Sequence, residues 1–213
     1  MRYLLPLLFL PLLHCQPNAP TPAREVQSLT GLLRYEQRDS TLEGQLTLHD
    51  SIAEVPRLQD EPMQAAADLP GRKFLLAVER DFPSEIRFMV PNQGDTVDFA
   101  LRLDPVFIDS LPTELDRDST ISFTVGQRGL LDNESLVVAF KPRSGGRDDR
   151  RVLISGPTPG GKVTLLPETL DDIPPGEYGV YLFKQQLYRN RQGYLRASIR
   201  LEYVTHAATT LVR

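Results

Sequence analysis

From residue 29 onward, apolar and polar positions alternate with a period of two. Leu42, Gly44, Leu46 and Leu48 alternate with Glu43, Gln45, Thr47 and His49; Val97, Phe99, Leu101 and Leu103 alternate with Asp98, Ala100 and Arg102. Successive side chains of a strand point to opposite faces, so this pattern predicts strands with one face in a core and one in water. Residues 29–37 and 41–49 flank Arg38-Asp39-Ser40, a polar break of hairpin length. Residues 51–72 carry Pro56, Pro62, Pro70 and Gly71 and no clear strand; Gln64-Ala65-Ala66-Ala67 within them is read as one helical turn. Strands resume over 73–79 and 85–90, and the turn Asn92-Gln93-Gly94-Asp95 leads into a strand over 96–103.

The second half repeats the pattern. Ile121, Phe123 and Val125 alternate with Ser122 and Thr124, while residues 136–140 are apolar on both faces, as in a central strand. Shorter strands are expected over 151–155 and 162–166, then longer ones over 177–184 and 194–204. In the last of these Leu195, Ala197, Ile199, Leu201 and Tyr203 face one way and Arg196, Ser198, Arg200 and Glu202 the other. Six strands at near-regular spacing predict an antiparallel sandwich. Between the halves, residues 105–118 combine Pro105 and Pro112 with Asp109, Glu114, Asp116 and Asp118, and are read as a connector in which Val106, Phe107 and Ile108 are expected to pack on a neighbouring core.

Leu170-Asp-Asp-Ile173-Pro-Pro-Gly176-Glu-Tyr178 resembles the crossing into a strand seen in immunoglobulin-like and fibronectin-type-III-like modules. The resemblance implies a tyrosine corner at Tyr178, whose hydroxyl bonds backward to the loop. The fold expected is therefore all-β: two antiparallel, immunoglobulin-like β-sandwich domains in tandem, at 25–104 and 119–206, with a flexible tail at 207–213. The alternative is one larger β-barrel.

The start of the chain has a different pattern. Arg2 precedes an apolar run over residues 3–13 that holds eight of the chain's leucines and phenylalanines. As a helix it would rise about 16 Å, half a bilayer core, and Pro6 and Pro11 interrupt it. Such a run reads as a secretory signal. The chain's single cysteine follows directly, in Leu12-Leu13-His14-Cys15. This resembles a bacterial lipoprotein signal, with His14 where that family usually has a small residue. The resemblance implies a signal peptide at 1–14, cleavage before Cys15, lipid attachment to Cys15, and a membrane anchor in the cell envelope, at the outer membrane or periplasmic face. Residues 15–24 are Pro-rich and polar, an extended tether.

Removing residues 1–14 leaves 23 basic against 28 acidic residues, a net of −5, which argues against nucleic acid as a partner. Past Cys15 there is no thiol for a disulfide or metal site, and only His49 and His206 remain as imidazoles, so neither a metal nor a cofactor is expected. Gly156-Pro-Thr-Pro-Gly160-Gly161-Lys162-Val163 approximates a phosphate loop. It lacks Ser or Thr after the lysine and N–H groups at Pro157 and Pro159, and is read as a turn. Asp148-Asp149 and Asp171-Asp172 are adjacent carboxylates, which diverge rather than face each other across a cleft. No Gly-x-Ser-x-Gly is present. No catalytic residue is predicted.

The strongest functional lead is the basic and aromatic last hairpin: Lys184, Tyr188, Arg189, Arg191, Tyr194, Arg196 and Arg200. Arginine forks and tyrosine faces suit an anionic glycan, a lipid headgroup or an acidic protein. Arg143, Arg147, Arg150 and Arg151 form a second basic group. The expected function is a membrane-anchored envelope lipoprotein acting as a non-enzymatic binding or scaffold component, with other envelope proteins as partners. The alternatives are an envelope carbohydrate-binding module, which needs Tyr181, Tyr188 and Tyr194 on one face, and less favourably a hydrolase.

Overall fold

The computed structural model describes residues 27–50, 52–92, 94–144 and 149–213. Cys15, the leader and the tether lie outside them. The strands of the first half are β1 (Gln27–Glu36), β2 (Thr41–Leu48), β3 (Arg57–Leu58), β4 (Glu61–Pro62), β5 (Gln64–Ala65), β6 (Lys73–Glu79), β7 (Ile86–Asn92) and β8 (Asp95–Leu101). Those of the second are β9 (Glu114–Leu115), β10 (Ile121–Thr124), β11 (Glu134–Pro142), β12 (Arg150–Ser155), β13 (Lys162–Leu165), β14 (Gly176–Gln192), β15 (Leu195–Val204) and β16 (Ala208–Val212), with one helical turn, α1 (Pro167–Leu170), before β14. The fold is all-β and sandwich-like. Among the described residues no sheet closes into a barrel, and no helix is long and apolar enough to cross a membrane.

One ten-stranded sheet runs in the order β12-β11-β14-β15-β1-β2-β6-β5, with β16 added to β14 and β9 to β16. It joins both halves of the chain, because β1 pairs in parallel with β15 from Gln27↔Leu195 to Glu36↔Val204. A four-stranded sheet, β4-β3-β7-β8, and a two-stranded sheet, β10-β13, complete the structure. The period-two pattern explains the layering. Leu42, Gly44, Leu46 and Leu48 of β2 are all on the buried face, and Leu58 of β3 packs so closely on Gly44 that a Cβ there would lie 2.5 Å from it. One apolar cluster, including Leu33, Phe74, Phe88, Phe99, Phe140 and Ile199, runs through the molecule. Phe88 and Phe99 stack at 4.6 Å within it.

Two expectations are corrected. Gln64 and Ala65 are the edge strand β5, paired with Leu75 and Phe74, not a helical turn. There the sheet's open edge supplies hydrogen bonds that an isolated turn of helix lacks. Residues 207–213 are not a flexible tail. Ala208–Val212 form β16, with Thr210 and Val212 buried between β14 and β9. The jog between β15 and β16 is held by Thr205, whose Oγ1 accepts from Leu182 N at 2.9 Å while its own N donates to Leu182 O at 3.0 Å. Within residues 105–118, Val106 and Ile108 are buried and Phe107 N donates to Val125 O at 2.9 Å.

Tyr178, in β14, is buried against Phe140, and its hydroxyl donates to the Pro174 carbonyl at 2.8 Å. This is the backward bond of a tyrosine corner. Tyr178→Phe keeps the ring and strands that carbonyl, so urea unfolding of the variant is expected to show a loss of about 1–2 kcal/mol.

Candidate functional site

β14 and β15 form a long hairpin closed by Gly193 and Tyr194, with Gly193 at a φ of +57° that a tight two-residue turn requires. Residues opposite each other across the pair share a face, so the register sorts the side chains. Arg191 faces Arg196, Arg189 faces Ser198, Leu187 faces Arg200, and Gln185 faces Glu202. All eight lie on the outer face, turned away from the buried row Leu195, Ala197, Ile199 and Leu201. The four arginines predicted at this hairpin are thus on one surface. Directly opposed like charges are destabilising across a ladder. Arg189 and Arg196 have no carboxylate and no hydrogen-bond partner among the described residues, while Arg191 Nε reaches only the Gly193 carbonyl at 3.3 Å.

The base of this surface is rigid. Glu202 is buried on the outer face beneath a lid of cations. Its Oε2 accepts from Arg34 Nε at 2.8 Å and lies 2.7 Å from Arg34 Nη2; its Oε1 accepts from Gln185 Nε2 at 2.9 Å and is ion-paired with Arg200, 3.0 Å from Nε. Arg34 also lies 5.5 Å over the Phe183 ring. Arg200 is therefore held in place, whereas Arg189, Arg191 and Arg196 extend toward the hairpin tip.

The tyrosines do not join them. Tyr188 lies on the opposite face of β14, partly packed on the core, with its hydroxyl accepting from Asn190 Nδ2 at 2.7 Å. Tyr181, two residues from Phe183, is on the outer face and donates to Asp149 at 3.3 Å. Tyr194 sits in the turn itself, 39% exposed. Strand parity separates Tyr181 from Tyr188.

Lys184 is also on the inner face, with Tyr178, Val180 and Leu182, rather than with the arginines. It enters a buried ion network that local sequence did not disclose. Its Nζ lies 3.1 Å from Glu134 Oε1 and donates to the Asp104 carbonyl at 3.2 Å. Glu134, the first residue of β11, is diagonal to Lys184 across the ladder and 0% exposed. Arg128 forks onto both its oxygens at 2.9 Å, the Leu131 N–H adds a fourth donor at 2.9 Å, and Arg128 also pairs with the Asp104 carboxylate. Burial pushes the Lys184 ammonium below the usual lysine range, against the pull of Glu134. Burial pushes Glu134 up, but the Arg128 guanidinium, the Leu131 N–H and Lys184 outweigh it and hold its carboxyl below the usual range. The strand pattern alone could have placed Lys184 inward. Glu134, Arg128 and Asp104 carry no local signal, because the contacts span up to 80 residues.

Above Lys184 opens a cavity of about 460 Å³. Its walls come from residues 104–107, the loop at 125–130, the glycine-rich loop at 156–163 and Ile154 of β12. The phosphate-loop-like run thus folds as a turn. Gly161 accepts from Val125 N at 2.7 Å, and the Thr158 hydroxyl accepts from Leu130 N at 2.8 Å.

The other sequence candidates form no site. Asp171 and Asp172 are exposed at a turn, His49 is exposed, and Asp148 lies outside the described residues. His206 Nδ1 meets Gln37 Oε1 at 3.2 Å and Nε2 lies 3.8 Å from Asp109, with no serine in the arrangement. Arg143 is engaged by Thr209 and Glu177. Among the described residues no three His, Cys, Asp or Glu side chains group as a metal site. No protein-family model matches the chain, and no curated protein matches it either.

Proposed function

We propose that this protein is an exported lipoprotein, anchored in the cell envelope through Cys15, whose β body is a non-enzymatic binding or scaffold component. The body consists of two sandwich lobes fused through the shared sheet. Its docking surface is the arginine face of the β14–β15 hairpin, and the partner is an acidic surface of another envelope component. One observation carries the reading: Arg191 stands directly opposite Arg196, beside Arg189, with no acidic partner for Arg189 or Arg196 among the described residues. A strand pair that tolerates this repulsion gains most from an anionic partner. The leader and tether favour the anchored arrangement, since they would hold this face off a membrane. The carbohydrate-binding alternative has less behind it, because Tyr181 and Tyr188 occupy opposite faces of β14.

Two measurements test this. Metabolic labelling with a fatty-acid probe is expected to mark the wild-type protein and not Cys15→Ala, which should leave the membrane fraction. Cross-linking in native cells is expected to trap an acidic envelope protein, and Arg191→Glu with Arg196→Glu to abolish the product, while Arg38→Glu, on the distant β1–β2 turn, retains it. An unlabelled wild type would end the anchor reading, and a cross-link indifferent to the hairpin charge reversal would end the docking reading.

A further inference from the structure

The cavity above Lys184 is built unlike a packing defect. A void left in a core is apolar, and a polar one is filled by water or a ligand. Here the floor carries an ammonium whose side chain is 4% exposed. An ammonium has three N–H donors, and this one has two protein acceptors, Glu134 Oε1 and the Asp104 carbonyl. The third donor is left to the cavity that Lys184 lines. The charges around the opening reinforce it: Arg128, Lys162 and Lys184 line the cavity against the single carboxylate of Asp104. Glu134, which would otherwise balance the cations, is behind them and already takes four donors. Beside the polar Gln127 and Thr158, the wall has an apolar part made by Val106, Leu130, Ile154 and Val163, with Phe107 42% exposed although it lies beside two buried neighbours. The volume is in the range of small-ligand sites.

We propose that this cavity binds a small amphipathic carboxylate, its head on the free N–H of Lys184 and its apolar part along Phe107, Val106 and Ile154. The head gains a charge-assisted hydrogen bond in a sheltered site, and the tail removes apolar wall from water. The cavity opens on the inner face of β14, so this site is separate from the arginine face and does not depend on it. The depressed ammonium fits the assignment, because a bound carboxylate would restore the charge that burial disfavours.

The test is calorimetric titration of the full chain, carrying Cys15→Ala so that no lipid is attached, with octanoate. Saturable one-to-one binding is expected. Octanol, octylammonium and acetate keep the tail or the head alone, or reverse the charge, and each should bind at least about tenfold more weakly. Phe107→Ala removes an exposed ring without emptying the core and should weaken octanoate about tenfold. Lys184→Met with Glu134→Met removes the ion pair together and should abolish the preference for octanoate over octanol. The hairpin variant Arg191→Glu/Arg196→Glu should bind octanoate as the wild type does. Octanol binding as tightly as octanoate, no saturable octanoate binding, or unchanged affinity in Phe107→Ala would each overturn the proposal.

Discussion

Glu134→Ala is expected to lower the unfolding free energy by about 3 kcal/mol, as read from urea denaturation at pH 7. The loss does not come from one salt bridge. Removing the carboxylate leaves the Lys184 ammonium, 4% exposed, with only the Asp104 carbonyl as acceptor, and it strands the Leu131 N–H. Breaking a buried pair by deleting one partner costs about 3–5 kcal/mol. The lower end applies because Arg128 is 39% exposed and keeps Asp104 as a second partner. Replacing Glu134 and Lys184 together by methionine should recover part of that loss, because the buried ammonium goes with the carboxylate; the Leu131 N–H stays unpartnered and Arg128 loses its fork, so recovery should stop about 1–2 kcal/mol short of wild type. Recovery of nothing in the double variant would show that the network contributes through geometry other than charge pairing.

The same residue sets an acid dependence. Glu134 is held below 4.5 in the folded protein, so its contribution is fully present above pH 4.5 and is lost as the pH falls through the lower folded value. The gap between wild type and Glu134→Ala should therefore narrow below pH 4.5. Lys184 gives the same sign of pH dependence, in the alkaline range. Its folded value lies below 10.5, so its part of the stability rises as the pH climbs from that value toward 10.5. A gap between wild type and variant that stayed constant down to pH 2 would contradict the assigned direction for Glu134.

What was legible in the sequence was whatever repeats locally. Leu42 to Leu48 and Leu195 to Tyr203 declare their buried faces by alternation alone, and both faces are where that alternation puts them. The arginine face was legible in composition, and the register then showed which residues share it. Three things were not legible, for one reason. The parallel pairing of β1 with β15 joins residues 168 positions apart, and parallel ladders leave no turn signal between their strands. β14 continues to Gln192 although residues 185–192 are mostly polar, because β15 supplies hydrogen bonds along that whole length. β16 follows a jog that Thr205, between the strands, closes onto Leu182 of β14. Each depends on a partner remote in sequence. The ion network is the same case: Glu134 stands in Asn133-Glu134-Ser135, which locally suggests no more than a glycosylation triplet.

Gly161→Ala is expected to be strongly destabilising, and its effect separates close approach from backbone freedom. Gly161 has no left-handed φ, so alanine meets no conformational penalty there. The obstacle is steric. A Cβ would lie 1.8 Å from the Gly126 carbonyl oxygen and 2.5 Å from its carbon, and backbone cannot give way as a side-chain tip can. The two loops would have to part, breaking the bonds from Val125 N at 2.7 Å and Gly126 N at 3.2 Å to the Gly161 carbonyl. Overpacking and two lost hydrogen bonds together give about 3 kcal/mol. Gly160→Ala is the control, since a Cβ at Gly160 meets nothing within 4 Å; it should stay within about 0.5 kcal/mol of wild type. Because these loops also form a wall of the cavity over Lys184, the Gly161 variant should lose octanoate binding under conditions where it is still folded, whereas the Gly160 variant retains it. Equal stability in the two variants would mean that the 125–130 and 156–163 loops are not seated on each other as described, and the cavity's wall would go with them.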